Sequence, residues 1–325
     1  MAEKNGKRIR IIIAVIVALC LTAVFVAGAH FLNKEENPSE TDSSVSAEAS
    51  TASNAEKSDT LNPDEIEWNG DNFIPKGDGE LFNLLLIGQD RRPDEGRQRS
   101  DAMILCSFNY ETNELAMISF LRDLYVQIPG YSDNRLNAAY AYGGFPLIKQ
   151  TFNENFGITV DGCLEVDFDS FEQIVDTLGG VDVELTAAEA QIVGGDAREG
   201  LCRLDGNRAL IYARIRKIDS DFQRTERQRN LLCGIFTKMK GCSMAELLTL
   251  VNEILPLMTT DMSDEDLLTF AAGFASALSE LKIETYGVPS KGNYKNATIN
   301  GMAVLVPDLY EIKKMIFEEY LPLQN

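Results

Sequence analysis

Four arginines, Arg214, Arg216, Arg224 and Arg227, fall within fourteen residues of the stretch Tyr212–Gln228. Widened to Arg203–Arg229, the stretch holds eight Lys/Arg against four Asp/Glu, in a chain whose formal net charge is −20. Seven of those eight cations are Arg, whose planar fork matches two oxygens of a phosphate or carboxylate at once. A basic island in an acidic chain points to one anionic ligand at one place. The competing reading is a solvated helix face laced with ion pairs. The acidic pI of about 4.5 argues against DNA or RNA as the main partner, because affinity for nucleic-acid backbones rests on basic surface.

The side chains that are scarce narrow the chemistry further. One histidine occurs, His30, directly after an apolar run. That excludes a Ser-His-Asp triad, a Cys-His pair and a His-ligated metal. Acid–base and metal chemistry fall to carboxylates, and a metal would be a hard, oxygen-seeking ion such as Mg²⁺. Of the six cysteines, Cys20, Cys106, Cys163, Cys202, Cys233 and Cys242, no two form a Cys-x-x-Cys pair, which argues against a zinc or redox site. Cys106 and Cys163 lie in apolar segments and read as buried free thiols. One disulfide among the five cysteines after the apolar run stays open.

Carboxylates with suitable neighbours flank three short apolar runs. Leu81–Gly88 empties into Gln89, Asp90, Arg91 and Arg92; Arg99-Ser100-Asp101 precedes the run Ala102–Phe108; Glu114–Leu121 ends at Arg122-Asp123. Asn109–Asn113 has turn composition, so the second and third runs form an antiparallel hairpin. The start of one hairpin strand and the end of the next share one end of the sheet. Arg99 and Asp101 therefore sit beside Arg122 and Asp123, and Asp90 and Arg92 join them if the first strand is antiparallel to the second. Strand ends of this kind are where open α/β sheets bind ligands.

The elements that must carry these groups alternate irregularly. Arg135–Phe156 is helical, broken at Gly143-Gly144; Ile158–Asp167 is a strand, Phe168–Leu178 a helix stopped by Gly179-Gly180, and Val181–Leu185 a strand. Asp205 caps a helix running through Leu210, with Arg214 and Arg216 near its end. Phe222–Lys240 is helical, and Asp221, Arg224 and Gln228 share a face at spacings of three and four. Helices over Met244–Met258 and Asp264–Leu281, strands over Lys282–Val288 and Thr298–Val306, and a helix over Pro307–Tyr320 complete the chain. The expected fold is a three-layer α/β/α sandwich around a central mixed β-sheet, preceded by one transmembrane helix.

That helix is Ile11–Ala29, nineteen residues without a charge, long enough to cross a bilayer. Lys4, Lys7, Arg8 and Arg10 precede it and keep residues 1–10 in the cytoplasm by the positive-inside rule. Residues 11–30 are read as a retained anchor, the rival being a cleaved signal peptide ending near Ala27-Gly28-Ala29. Residues 31–80 form an acidic spacer: Glu35–Glu80 has thirteen Asp/Glu against two Lys and little to bury. Residues 81–325 form the extracellular domain.

The charged positions line up with a known pattern. Leu84–Asp90, Arg99-Ser-Asp101, Ile118–Asp123, Arg135–Tyr140, Gly143-Gly144, Leu178–Asp182, Gly206 with Ala209-Leu210, and Tyr212–Gln228 follow in the order of the LytR–CpsA–Psr family of bacterial cell-envelope phosphotransferases, which the sequence resembles. Leu121 stands where the family usually has Pro, and Arg135 where it usually has Lys. The resemblance implies transfer of a glycopolymer, such as wall teichoic acid or capsule, from an undecaprenyl-pyrophosphate carrier to peptidoglycan. It implies Asp90 and Asp101 as ligands of Mg²⁺, with Mn²⁺ as the substitute ion. Arg99, Arg122, Arg214, Arg216 and Arg224 would bind the pyrophosphate, with Gln228 nearby and an apolar groove for the polyprenyl chain. Asp221 would orient or deprotonate the acceptor hydroxyl, with Arg122 and Arg224 beside it in the catalytic group. Two alternatives remain: a pyrophosphatase acting on lipid-linked intermediates, and a non-catalytic envelope regulator that binds lipid-linked glycans.

Overall fold

The structure is a computed structural model that describes residues 59–70, 73, 81–89, 96–216, 218 and 220–321. The anchor expected at 11–30, most of the spacer, Asp90, Arg92 and Lys217 lie outside the described residues. Among the described residues, no helix is long and apolar enough to cross a membrane.

In chain order the strands and helices are β1 (Asp59–Thr60), β2 (Leu81–Gln89), β3 (Ser100–Asn109), β4 (Glu114–Phe120), β5 (Tyr125–Val126), β6 (Asn134–Arg135), α1 (Leu136–Phe156), β7 (Gly162–Asp167), α2 (Phe168–Thr177), β8 (Val181–Leu185), α3 (Ala187–Val193), β9 (Gly200–Leu204), α4 (Gly206–Ala213), α5 (Asp221–Lys240), α6 (Met244–Ile254), β10 (Thr259–Thr260), α7 (Asp264–Ala277), β11 (Lys282–Val288), β12 (Tyr294–Ile299), β13 (Met302–Pro307) and α8 (Leu309–Met315). The central sheet has the order β10-β7-β2-β3-β4-β11. It is mixed: β2 and β4 are antiparallel to β3, while β7 runs parallel to β2 and β11 parallel to β4.

Helices cover both faces of this sheet. Phe82 pairs with Phe108, and Phe108 with Leu115, so all three point to one side. Phe120 is an odd number of residues from Leu115 and points to the other. Its ring packs on Phe152 and Phe156 of α1. Phe82 and Phe108 meet Phe270 and Phe274 of α7, and Phe274 meets Phe236 of α5. With both faces covered, Leu84–Ile87 and Met103–Leu105 are at most 1% exposed, the continuous burial expected of central strands.

Local chemistry sets the bounds that place the site. Asn109 Oδ1 accepts from the Glu111 and Thr112 amides and closes the β3–β4 turn. Asp167 caps α2 through the Ser170 amide, and Asp205 caps α4 through the Arg208 amide. Gly144 breaks α1 at φ 64°, as its diglycine suggested. Leu121, in place of the family's usual Pro, donates its amide to Val288 O at 2.8 Å. That bond ties the end of β4 to the end of β11, and a proline could not make it.

Three expectations need correction. The strand expected over Thr298–Val306 is a hairpin, β12 and β13, turned at Asn300 (φ 52°) and Gly301 (φ 76°). Asn-Gly with two positive φ values is the sequence signal of a two-residue hairpin turn. The helix expected to Met258 ends at Ile254, where Leu255–Leu257 forms a 3₁₀ turn around Pro256. The strand expected from Ile158 begins at Gly162.

Candidate active site

The strand ends meet as the hairpin geometry requires. Ser100 pairs with Gln89 at the end of β2, and the next residue, Asp101, faces the turn after β4. Arg122 Nη1 donates to Asp101 Oδ1 at 2.6 Å. Arg122 Nε lies 3.7 Å from Asp123 Oδ2 and 3.9 Å from Asp221 Oδ2. The other Asp221 oxygen lies 3.2 Å from Arg224 Nη1. Asp221 thus stands between two guanidiniums in the first turn of α5, where unpaired backbone N–H groups favour negative charge. Ser220, ahead of that turn, donates from its amide to Gln223 Oε1.

Burial makes these charges strong. Arg224 is 1% exposed. Burial pushes its guanidinium down to about 10, with Asp221 pulling it back and Arg216 and Arg122 pushing it further. Arg216 is lowered too, first by burial and then by the charge of Arg122. Burial alone would lower Arg122, but Asp101, Asp123 and Asp221 together outweigh it and hold it above its ordinary value. Arg122, Arg216, Arg224, Asp101, Asp123 and Asp221 therefore act on one another as a single electrostatic unit.

Within that unit the protein leaves donors unused. Among the described residues, Arg216 Nε and Nη2, Arg224 Nε and Nη1, and Arg122 Nε are buried without a hydrogen-bond partner. The Arg224–Asp221 contact is an ion pair whose direction does not make a hydrogen bond. Gln228, one turn beyond Arg224 and 1% exposed, has its Oε1 unpartnered, as does buried Asn137 with its Oδ1. Buried polar groups are almost always paired in proteins. A cluster of guanidinium N–H groups left open describes a site shaped for an anion with several oxygens.

The remaining expected residues are placed differently. Arg99 is exposed on the lip before β3. Arg214 caps α4 at its C-terminal end, and its guanidinium lies over the Phe168 ring, 4.8 Å from the centroid. Arg135 turns to Asp123 Oδ1 at 3.4 Å and donates to Ala303 O. Arg229, which the reading of this stretch as a solvated helix face would turn outward, is instead buried at 8% exposure. The reason is packing: α5 lies against β4, β8 and β11, so more than one of its faces is covered.

Arg227 has a role that charge counting alone did not reveal. Its Nε donates to Glu189 Oε1 at 2.6 Å and its Nη1 to Ile215 O at 3.0 Å. It therefore fixes the backbone immediately before Arg216. Glu189 belongs to the Thr186-x-x-Glu189 capping box of α3, a signal the sequence displays. Its pairing across 38 residues is not displayed. A second buried network, in which Gln89 and Tyr140 both donate to Glu165, braces the end of β2.

For a metal, Asp101 offers Oδ2, since Oδ1 is engaged by Arg122. Among the described residues no group of three His, Cys, Asp or Glu converges, and Asp90 lies outside them. The donor chemistry, carboxylate oxygen beside an anion site, suits a hard divalent cation.

A cleft of about 540 Å³ opens from this cluster, lined by Leu121, Asp123, Ser220, Asp221, Ala303 and Leu305 among others. The five described cysteines are free, Cys106 and Cys163 being buried as expected.

Residues 39–318 match the LytR_cpsA_psr family. The chain belongs to the LytR–CpsA–Psr family. Its relatives include the polyisoprenyl-teichoic acid–peptidoglycan teichoic acid transferase TagU of Oceanobacillus iheyensis, 34% identical over 73% of this chain and 74% of TagU. The regulatory protein MsrR of Staphylococcus aureus is 30% identical over 69% of each chain. A solved structure of TagT bound to LI-WTA has a TM-score of 0.60 and 28% identity, covering 84% of this chain and all of that one. The mixed α/β fold with its central mixed sheet is thus that of solved LytR–CpsA–Psr proteins.

Proposed function

We propose that this LytR–CpsA–Psr protein is a membrane-anchored phosphotransferase that moves a glycopolymer from an undecaprenyl-pyrophosphate-linked donor to peptidoglycan. The observation that carries the reading is the set of buried, unpartnered N–H groups on Arg122, Arg216 and Arg224 around Asp221. The named activity of TagU and the ligand of the TagT structure support it. An acceptor hydroxyl entering by the cleft meets Asp221. Its oxygen attacks the phosphorus that bears the glycan, the phosphoanhydride bond breaks, and polyprenyl phosphate leaves with the electron pair. The hydroxyl proton passes to the Asp221 carboxylate. Arg122, Arg216 and Arg224 neutralise the charge that builds on the phosphoryl oxygens, and such preorganised donors are where most of this catalysis lies. Asp101 and Asp90 would be the residues to hold Mg²⁺, which would supply further neutralisation of the phosphoryl charge. A helix over residues 11–30 would keep the domain outside the cell beside a donor dissolved in the bilayer.

The test is to incubate the purified full chain with Mg²⁺, a defined lipid-linked donor and peptidoglycan, and to analyse the products. Polymer joined to peptidoglycan through a phosphodiester is expected. Free polymer phosphate with no wall linkage would instead establish the pyrophosphatase. Asp101→Ala and Arg216→Ala should each abolish transfer in a folded protein, and near-normal transfer by either defeats the site assignment.

A further inference from the structure

Outside the catalytic cluster, the exposed aromatic surface beside it has no assigned role. Tyr131 is 53% exposed and Tyr142 39%. Their rings stack with centroids 5.0 Å apart and planes 24° from parallel. Tyr131 sits on the turn after β5, where its amide donates to Ile128 O at 2.9 Å. Tyr142 projects from α1, and Asn134 Nδ2 donates to its hydroxyl at 3.0 Å. Tyr142 is thus held on its ring by Tyr131 and at its hydroxyl by Asn134, while Tyr131 stays half exposed. Rings this large and this exposed are disfavoured in water unless something covers them.

The platform is continuous with the active site through a short run of contacts. Asn134, which holds Tyr142, is followed by Arg135, whose amide donates to Asn134 Oδ1 at 2.8 Å. Arg135 Nε lies 3.4 Å from Asp123 Oδ1 and donates to Ala303 O at 3.1 Å. Asp123 and Ala303 both line the cleft that Asp221 lines. One side of Arg135 is therefore the cleft wall, and the other leads to the stacked tyrosines.

We propose that Tyr131 and Tyr142 form a saccharide subsite that holds a pyranose ring of the acceptor glycan strand. The proposal rests on the transferase reading of the same site. A sugar ring presents an apolar C–H face that suits a flat aromatic surface, and its hydroxyls need polar neighbours, here Asn134 and the Tyr142 hydroxyl that it holds. A bilayer surface would fit less well, because the local cation, Arg135, is turned inward to Asp123 rather than outward to anionic headgroups. The acceptor is favoured over the donor because its hydroxyl must reach Asp221, which lines the cleft, while the donor pyrophosphate is gripped by the buried arginines. A strand with one sugar in the cleft extends past Arg135 onto the platform.

The experiment uses the full chain in detergent, with isolated peptidoglycan sacculi as the binding probe and steady-state transfer as the second readout. Tyr131→Ala and Tyr142→Ala should each weaken sacculus binding roughly three- to tenfold and raise the acceptor KM by the same factor. The donor KM and kcat should change less than about twofold, and Tyr131→Trp should retain wild-type affinity. Unchanged acceptor affinity in both alanine variants overturns the proposal, and so does an effect confined to the donor KM. Platform-dependent sacculus binding without any transfer would sink the transferase reading and leave the subsite standing. Normal transfer with acceptor affinity indifferent to both tyrosines would do the reverse.

Discussion

At the scale of single residues, Arg224 shows how the site sets function against stability. A buried charge without full pairing costs free energy that a shape-matched apolar side chain does not. Burial lowers Arg224 from its ordinary value to about 10, a penalty of up to about 3 kcal/mol. The sign follows from linkage: the unfolded chain holds this proton more tightly, so the penalty is fully present below the folded value and fades as pH rises through it. Arg224→Met should therefore raise ligand-free stability at neutral pH by about 1–3 kcal/mol, read by urea denaturation, with the gain shrinking above about pH 10. Transfer should fall on the order of 100- to 1,000-fold. Loss of stability together with retained transfer would contradict both the burial argument and the catalytic one. The Arg227–Glu189 pair predicts the opposite. Removing one partner, as in Arg227→Met, leaves Glu189 buried with only the Thr186 donors, at a cost of up to about 3–5 kcal/mol. Burial tends to raise Glu189, but the Thr186 amide and Arg227 outweigh it and lower the carboxyl. The stability it contributes is thus present above the ordinary glutamate value and is lost as pH falls through its depressed one. The double variant Arg227→Met/Glu189→Leu should recover stability but not transfer, because Ile215 O has lost the donor that fixes the backbone before Arg216. Full activity in that double variant would show that the loop is positioned by other means.

At the scale of elements, the hairpin β12–β13 forms a wall of the cleft and accepts Arg135 at Ala303 O. Its turn needs Gly301 at φ 76° with open space around it. Gly301→Ala meets no clash and should cost only the conformational penalty, about 1 kcal/mol. A thermal melt should show a correspondingly small loss, with kcat within about twofold of wild type. A large kinetic defect would mean that the hairpin moves during the reaction. This turn also marks a limit of reading elements from sequence. The Asn-Gly signal was present, but it lay inside an apolar run that reads as one strand. The ends of β2, β3 and β4 were legible because continuous apolar runs and flanking charge agree there, and they correctly brought Asp101, Arg122 and Asp123 together. The face of α5 carrying Asp221, Arg224 and Gln228 was legible from spacing. Arg229 was not, since its burial depends on β11 lying beside the helix. Arg227 was visible as one charge among several, but its partner Glu189 is a tertiary fact.

At the scale of the whole molecule, a chain of net charge −20 keeps the guanidiniums of Arg216 and Arg224 buried and incompletely compensated within it. Most of the acidic surface is solvated and screened within about 10 Å at 0.1 M salt, so it cannot neutralise guanidiniums enclosed in the fold. An anion that enters the cluster relieves their burial penalty and stabilises the native state in proportion to its occupancy. Inorganic pyrophosphate, which carries the oxygens of the proposed donor without its lipid or sugar, tests this directly. At 100 times its dissociation constant it should add about 2.7 kcal/mol. For a domain of this size that is a rise of roughly 5–10 °C in Tm. The rise should vanish in Arg224→Met and persist in Tyr131→Ala, because the first variant removes a ligand of the phosphate and the second only a surface for sugar. Wild-type stabilisation that survives loss of Arg224 would place the anion elsewhere on the molecule.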